Sequence, residues 1–303
     1  MQAPPAITLR QLQVFSETIV HGSLQAAAQA LGMTPSAASM ALAALESACD
    51  GPLFERTGRG LRLNDKGSRL LPRARDALGA VESLIAEARD PGRELAGTLR
   101  VGCSSTPGRY VFPSLAKDFT RRHPAAKLVL KVGNTGAVAA WVAAGAVDCG
   151  IVEGGVPHGL DQEPWIEDEL LVVARKGHAM AGWEQVPPEA LSNETWIVRE
   201  SGSGTLALQE HFMATNGIRA QDFIEFGDME SVKRAVLEGL GIGILSRHAV
   251  KDELMNGRLQ ALAVGESITR RFSIATQPGQ YRSRILEAFL AFTRGWKPKA
   301  IRT

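Results

Sequence analysis

Apolar residues recur at helical spacing almost from the start of the chain. Leu9, Leu12, Phe15 and Ile19 fall three or four positions apart, with Thr8 placed to cap the helix and His21-Gly22 to end it. Ser23 then caps a second, Ala-rich helix, Gly32-Met33-Thr34 forms a turn, and Thr34 caps a third helix with Pro35 at its first position. That third helix directs Ala38, Leu42 and Leu45 inward and leaves Ser36, Ser39, Met40 and Ala43 on an outer face. Small side chains let two such helices cross closely, and the second helix of such a pair is the one that enters a DNA major groove. Phe54 to Leu63 reads as a β-hairpin with a glycine-rich tip. Asn64 or Asp65 starts a long helix in which Leu71, Ala74, Leu78, Val81, Ile85 and Ala88 form a heptad-like seam, with a kink expected at Pro72 and an end at Pro91-Gly92.

From Leu95 onward the period shortens. Thr98–Cys103, Lys127–Val132, Asp148–Val152, Leu170–Ala174, Thr195–Arg199, Gly243–Ser246 and Phe272–Thr276 read as strands, and helical stretches separate most of them. Alternation of this kind predicts an α/β body. There is no internal repeat and no low-complexity segment.

Composition changes the picture little. Hydrophobic residues at 45% and charged residues at 22% are those of a globular protein, no apolar run reaches the ~18 residues of a membrane span, and Met1 to Pro5 does not resemble a signal peptide, so a cytoplasmic location is expected. Net charge is only +2, but it is unevenly spread. Residues 1 to 55 carry Arg10 against Glu17, Glu46, Asp50 and Glu55, whereas residues 56 to 75 carry Arg56, Arg59, Arg62, Lys66, Arg69, Arg73 and Arg75 against Asp65. A local positive field beside a helix-turn-helix suits phosphate contacts. Cys49, Cys103 and Cys149 are too scattered for a disulfide framework. They read either as three buried thiols or, for Cys103 and Cys149, as a redox-sensing pair. The histidines show no metal-binding spacing, and neither metal nor cofactor is expected.

Three segments in order carry a family resemblance: Leu9-Arg10-Gln11-Leu12-Gln13-Val14-Phe15, then His21-Gly22-Ser23 with its Ala-rich helix, then Leu53 to Leu63. The chain resembles the LysR-type transcriptional regulators over essentially its whole length. Gly133-Asn134-Thr135, Ile151-Val152-Glu153-Gly154, Arg199 to Thr205 and Leu240 to Arg247 resemble the branch that includes regulators of sulfur assimilation and carbon fixation. The resemblance implies an N-terminal winged helix-turn-helix (1–65), a linker and dimerisation helix (66–92), and a two-lobed α/β effector domain like the periplasmic binding proteins. Lobe 1 would take 93–164 plus 268–303 and lobe 2 165–267, with crossovers near Pro164-Trp165 and Ser267-Ile268. It also implies promoter DNA as partner, dimers that associate into tetramers, contact with RNA polymerase, and no enzymatic activity. Many relatives carry Gln and Arg where this chain has Pro35 and Met40. DNA contacts are therefore expected from Ser23, Thr34, Ser36, Ala37, Ser39, Met40 and Ala43 and from the wing residues Arg56, Arg59 and Arg62, with a larger share from phosphates and DNA shape.

Ligands of α/β sheets sit beyond the carboxyl ends of strands, at helix N-termini, where free N–H groups favour small anions. Four such ends can be read: Ser104-Ser105-Thr106-Pro107-Gly108, with Thr106 as a helix cap; Asn134-Thr135-Gly136; Ser201 to Thr205; and Asp228 to Ser231. Ser104, Ser105, Thr106, Thr135, Ser203, Gly204 and Thr205 are the expected contacts of a small anionic effector, an inorganic oxyanion or a small carboxylate. The first and third segments face each other by resemblance. Gly202 and Gly204 would let the backbone approach the anion. Glu153 would accept a hydrogen bond from the effector or brace the cleft, and Arg199 would pair with a nearby carboxylate. Capping alone also accounts for every one of these hydroxyls. A phosphate-binding enzyme is disfavoured, because the glycine-rich loop lacks the lysine of a P-loop and no nucleophile–histidine pair is visible.

Overall fold

A computed structural model describes residues 7–57, 60–89, 95–156, 159–265 and 267–298. Thr8, in extended backbone, caps α1 (Leu9–His21) through a capping box with Gln11, and Gly22 closes it at φ 69°. Ser23 caps α2 (Leu24–Ala30) by accepting from the Ala26 N–H, and Thr34 caps α3 (Pro35–Ala48) by accepting from that of Ala37. Val14, Phe15, Ala28, Ala38, Leu42 and Leu45 close a core with Leu53 and Phe54, where the Phe15 and Phe54 rings meet edge to face at 5.6 Å. Phe54 opens the wing, β1 (Phe54–Thr57) paired antiparallel with β2 (Gly60–Leu63). The expected tip at Gly58-Arg59 and the side chain of Arg56 lie outside the described residues.

Asn64 caps α4 (Asp65–Arg89) by accepting from the Gly67 N–H at 2.8 Å. The helix runs through Pro72. The expected seam divides: Leu71 and Ala74 are buried in the winged-helix core, whereas Ile85 is exposed, next to an equally exposed Leu84 outside the seam. A three-and-four repeat reports an apolar face but not what covers it. The Ala88 side chain and the expected stop at Pro91-Gly92 fall outside the described residues. Gly67 sits where α4 starts against the wing, and a Cβ there would lie 2.1 Å from the Leu53 carbonyl oxygen.

The α/β body follows with β3 (Gly97–Ser104), a π-helical turn at Pro107–Val111, α5 (Phe112–Arg122), β4 (Ala126–Gly133), α6 (Thr135–Ala143), β5 (Cys149–Glu153), β6 (Asp161–Arg175), α7 (Pro188–Ser192) and β7 (Trp196–Arg199). It continues with α8 (Gly204–Thr215), β8 (Phe223–Phe226), α9 (Met229–Glu238), β9 (Ile242–Ser246), α10 (Arg247–Met255), β10 (Leu259–Ala261), β11 (Ile268–Thr276) and α11 (Arg284–Gly295). One sheet runs β4-β3-β5-β11-β6-β9-β7-β8, with β10 beside β6. Strands β3, β4 and β5 are parallel, as are β7, β8 and β9, and β6 and β11 run antiparallel to their neighbours. Each parallel group with its helices forms one Rossmann-like lobe, and the β6–β11 pair belongs to both. Pro164-Trp165 lies within β6, and Ser267 immediately precedes β11.

Both central strands are longer than their apolar pattern indicates. The first half of β6 is acidic, contains Pro164 and is largely exposed, so no alternation marks it; pairing with β11 holds it extended. Strand β10, only three residues long, escapes notice for want of length.

Lobe 1 packs Leu99, Val101, Ile151 and Phe289 around Cys103 and Cys149, which are both fully buried. All three cysteines are free. Burial pushes the Cys103 and Cys149 thiols well up. A redox sensor needs an accessible thiolate, so this pair is structural rather than the redox switch its sequence left open.

Gly67→Ala is expected to lower the stability of the winged-helix unit by about 1–3 kcal/mol through overpacking against Leu53. The first transition in urea denaturation measures it.

Candidate effector cleft and nucleic-acid surface

Positions 36, 37, 39, 40 and 43 recur at helical spacing, and Ser36, Ala37, Ser39, Met40 and Ala43 are all exposed on α3. Met40 is 71% exposed, an apolar side chain held toward solvent beside hydroxyls. Ser23 and Thr34 spend their acceptor oxygens on helix caps. Arg62 donates to Glu55 across the wing at 2.6 Å, so part of its charge is neutralised within the hairpin.

In the body, the strand ends converge as the sequence indicates, but their polar groups chiefly bind one another. The residue that gathers them is Arg270 on β11, which sequence reasoning missed. Its buried guanidinium donates from Nε to Asp168 Oδ2 (2.8 Å), from Nη1 to Glu153 Oε2 (2.6 Å) and Thr205 Oγ1 (2.9 Å), and from Nη2 to Thr106 Oγ1 (3.0 Å). Ser246 donates to the second Asp168 oxygen at 2.6 Å. Glu153 also accepts from the Thr106 N–H (2.8 Å) and from the Thr205 hydroxyl (3.1 Å). Burial alone would raise the Glu153 carboxyl, but the Arg270 charge and the Thr106 N–H overrule it and hold the group below the usual carboxylate range.

Glu153 therefore braces the cleft as a carboxylate, the second of its two anticipated roles. Thr106 is not a helix cap. Helical backbone begins one residue earlier, Thr106 is itself αR, and its hydroxyl serves Arg270. The expected cap fails because Pro107 opens a π-helical turn rather than an ordinary first turn. Asn134 caps α6, and the Thr135 hydroxyl donates to the Glu153 carbonyl at 3.1 Å. Ser203 caps α8. A Cβ on Gly204 would lie 2.4 Å from the Glu153 carbonyl oxygen, so this glycine admits the start of α8 against the opposite lobe. Its lack of a side chain is what lets the two lobes meet at this point.

More contacts cross the cleft. The Gly136 N–H donates to the Gly202 carbonyl at 3.1 Å, and Asn134 Nδ2 donates to Glu200 Oε1 and the Ser201 carbonyl. Tyr110 donates to Glu230 at 3.0 Å. Arg199 pairs with Glu200 as anticipated (Nε to Oε2, 2.7 Å; Nη2 to Oε1, 2.9 Å) and donates from Nη2 to Ser105 Oγ at 3.3 Å. Three buried polar atoms here lack a hydrogen-bond partner among the described residues: Ser104 Oγ at the end of β3, Arg199 Nη1 at the end of β7, and Gln209 Nε2 on α8. An unpartnered buried donor is costly, and a ligand is one way to satisfy it.

The signal for Arg270 and Asp168 was present in the sequence. Arg270 shares its side of β11 with Ile268, and Asp168 shares its side of β6 with Leu170 and Val172. A charge set among apolar positions of one strand face is a buried charge in search of a partner.

The family description "LysR substrate binding domain" matches residues 92–297, and "Bacterial regulatory helix-turn-helix protein, lysR family" matches residues 9–68. The chain is 37% identical over 260 residues to the Escherichia coli protein named Uncharacterized HTH-type transcriptional regulator YeiE, covering 85% of this chain and 87% of that one. It is 34% identical over 292 residues to HTH-type transcriptional regulator CbbR of Rhodospirillum rubrum, covering 94% and 95%. A solved structure of the Synechocystis PCC6803 CcmR regulatory domain in complex with 2-PG superposes with a TM-score of 0.62 at 30% identity, covering 65% of this chain and 96% of that domain.

Arg270→Met leaves Glu153 and Asp168 buried without their cation, and should cost about 3–5 kcal/mol in denaturant unfolding. The pH dependence should change sign. In the parent chain the depressed Glu153 contributes stability above the unfolded carboxyl pKa that is lost as pH falls through the lower folded value. In Arg270→Met, burial outweighs the remaining Thr106 N–H and raises that carboxyl, so acidification from neutral pH down to the ordinary carboxylate range should stabilise the variant.

Proposed function

Since this chain belongs to the LysR family of transcriptional regulators, a DNA-binding family rather than an enzyme one, we propose that a small anion in the interlobe cleft controls its hold on promoter DNA. The observation that carries the proposal is the pair of unpartnered buried donors, Ser104 Oγ from lobe 1 and Arg199 Nη1 from lobe 2. A cation with a free N–H and a hydroxyl at the ends of two strands, with helix starts beside them, favours an oxyanion or a small carboxylate. Glu200 beside Arg199 opposes high negative charge and favours a singly charged group over a multiply charged one.

Closure of the lobes draws on the Asn134, Gly136 and Tyr110 contacts, so a ligand that binds closed and open cleft differently shifts their balance. The exposed apolar side chains Leu84 and Ile85 of α4 support pairing of two linker helices in a dimer. Association of dimers through the effector modules would then convert lobe angle into spacing between recognition helices, and so into DNA bending and access for RNA polymerase. The α3 surface, small and uncharged, supports recognition that rests on phosphate contacts and DNA shape more than on base hydrogen bonds.

Two outcomes test these readings. Titration of the full chain with sulfate, phosphate and small carboxylates should raise the melting temperature with at least one of them, the native state gaining about 2.7 kcal/mol at one hundred times its Kd. Arg199→Gln should abolish that shift and the accompanying change in promoter footprint; an unchanged footprint at saturation overturns the proposal. Promoter affinity should fall steeply with salt, and Arg56→Ala and Arg59→Ala should each flatten the log–log slope by about one.

A further inference from the structure

A cavity lies outside the interlobe cleft, where the winged helix, the linker helix and lobe 1 meet. Its volume is about 720 Å³, within the range of small-molecule sites. Ser16 and Glu17 of α1, Arg75 and Leu78 of α4, and Asp148 and Tyr281 of lobe 1 are among its walls. Arg75 is the anomaly. Its Nε donates to Ser16 Oγ at 3.1 Å, but Nη1 and Nη2 are both buried with no partner among the described residues.

The nearby acids are engaged elsewhere. Glu17 pairs with Arg100 (3.7 Å) and with His21 (3.3 Å), and Asp148 Oδ2 accepts from the Arg100 N–H at 2.6 Å. Burial, with Arg100 adding repulsion, lowers the Arg75 guanidinium to about 10, against opposing pulls from Asp148 and Glu17. It remains a cation at neutral pH, its two terminal nitrogens buried without a partner among the described residues, on the wall of a cavity that Leu78, Ile285 and Leu286 also line.

We propose that this junction is a second ligand site, one that takes a monocarboxylate with a short apolar body, the carboxylate seated bidentately on Arg75 Nη1 and Nη2 and the body against Leu78, Tyr281 and Ile285. A planar fork of two N–H groups matches a carboxylate in geometry as well as charge. The site needs nothing from the interlobe cleft. Its walls come from three units of the chain, so an occupant binds only when the winged helix is docked on lobe 1 and stabilises that arrangement.

The test uses full-length protein with hexanoate and its neutral isostere hexanamide as probes, by calorimetric titration. Hexanoate should bind and hexanamide should bind at least about tenfold more weakly, the charge-assisted fork being the difference. Arg75→Met, which keeps length and removes the charge, should abolish hexanoate binding. Should that variant fail to fold, hydrogen exchange on the parent chain decides: hexanoate should protect amides in segments 72–79 and 280–286. No hexanoate binding, equal binding of the amide, retention in a folded Arg75→Met, or protection at 199–205 instead would each overturn the proposal.

Discussion

One buried guanidinium organises the effector body. Arg270 sits on the strand shared by both lobes, and its ligands come from β5, β6, α8 and the segment after β3. A cation taken out of water is tolerated only where charge and hydrogen bonds are returned in full. Here two carboxylates and two hydroxyls return them, and all four are fixed by the same few bonds. The hydroxyls and glycines around the cleft follow from this. Thr106 and Thr205 complete the coordination of Arg270, Gly204 makes room for α8 to bring Thr205 in, and the strand ends are left with only a few donors unfilled.

The helix-turn-helix was legible because local chemistry and burial agree there. Thr8, Ser23 and Thr34 each cap the helix their position announces, and Ala38, Leu42 and Leu45 are inside as their spacing requires. The strands of both lobes were legible wherever β-branched runs are buried on both faces. The failures share a cause. Leu71 and Ala74 continue the apolar repeat of the linker helix, and periodicity cannot name the partner that covers them; the first half of β6 carries no pattern of its own because its conformation is imposed by β11. The cleft residues could be found individually, since strand ends and helix starts are local features. Their mutual bonding could not, because it depends on Arg270, which lies 65 to 164 residues away in sequence from the hydroxyls it binds.

The two ends of the chain handle polarity in opposite ways. The effector body buries charge and satisfies it internally. The winged helix, among its described residues, keeps its charges out of the core and presents Ser36, Ala37, Ser39 and Ala43 on the outer face of α3, with Met40 standing out among them. Between them, α4 serves both sides: its first turns complete the winged-helix core through Leu71 and Ala74, and Arg75, one residue further on, reaches Ser16 at the boundary with lobe 1.

The placement of β11 also bears on how the chain is made. Lobe 1 receives its fourth strand only from the return segment, whereas lobe 2 has β7, β8, β9 and its half of β6 in hand before that segment is synthesised. On the ribosome the winged helix can close first and lobe 2 next, while β3, β4 and β5 wait with an unpaired edge at β5 and with Glu153 lacking its cation. The first lobe to begin in the sequence is thus the last whose sheet can be completed.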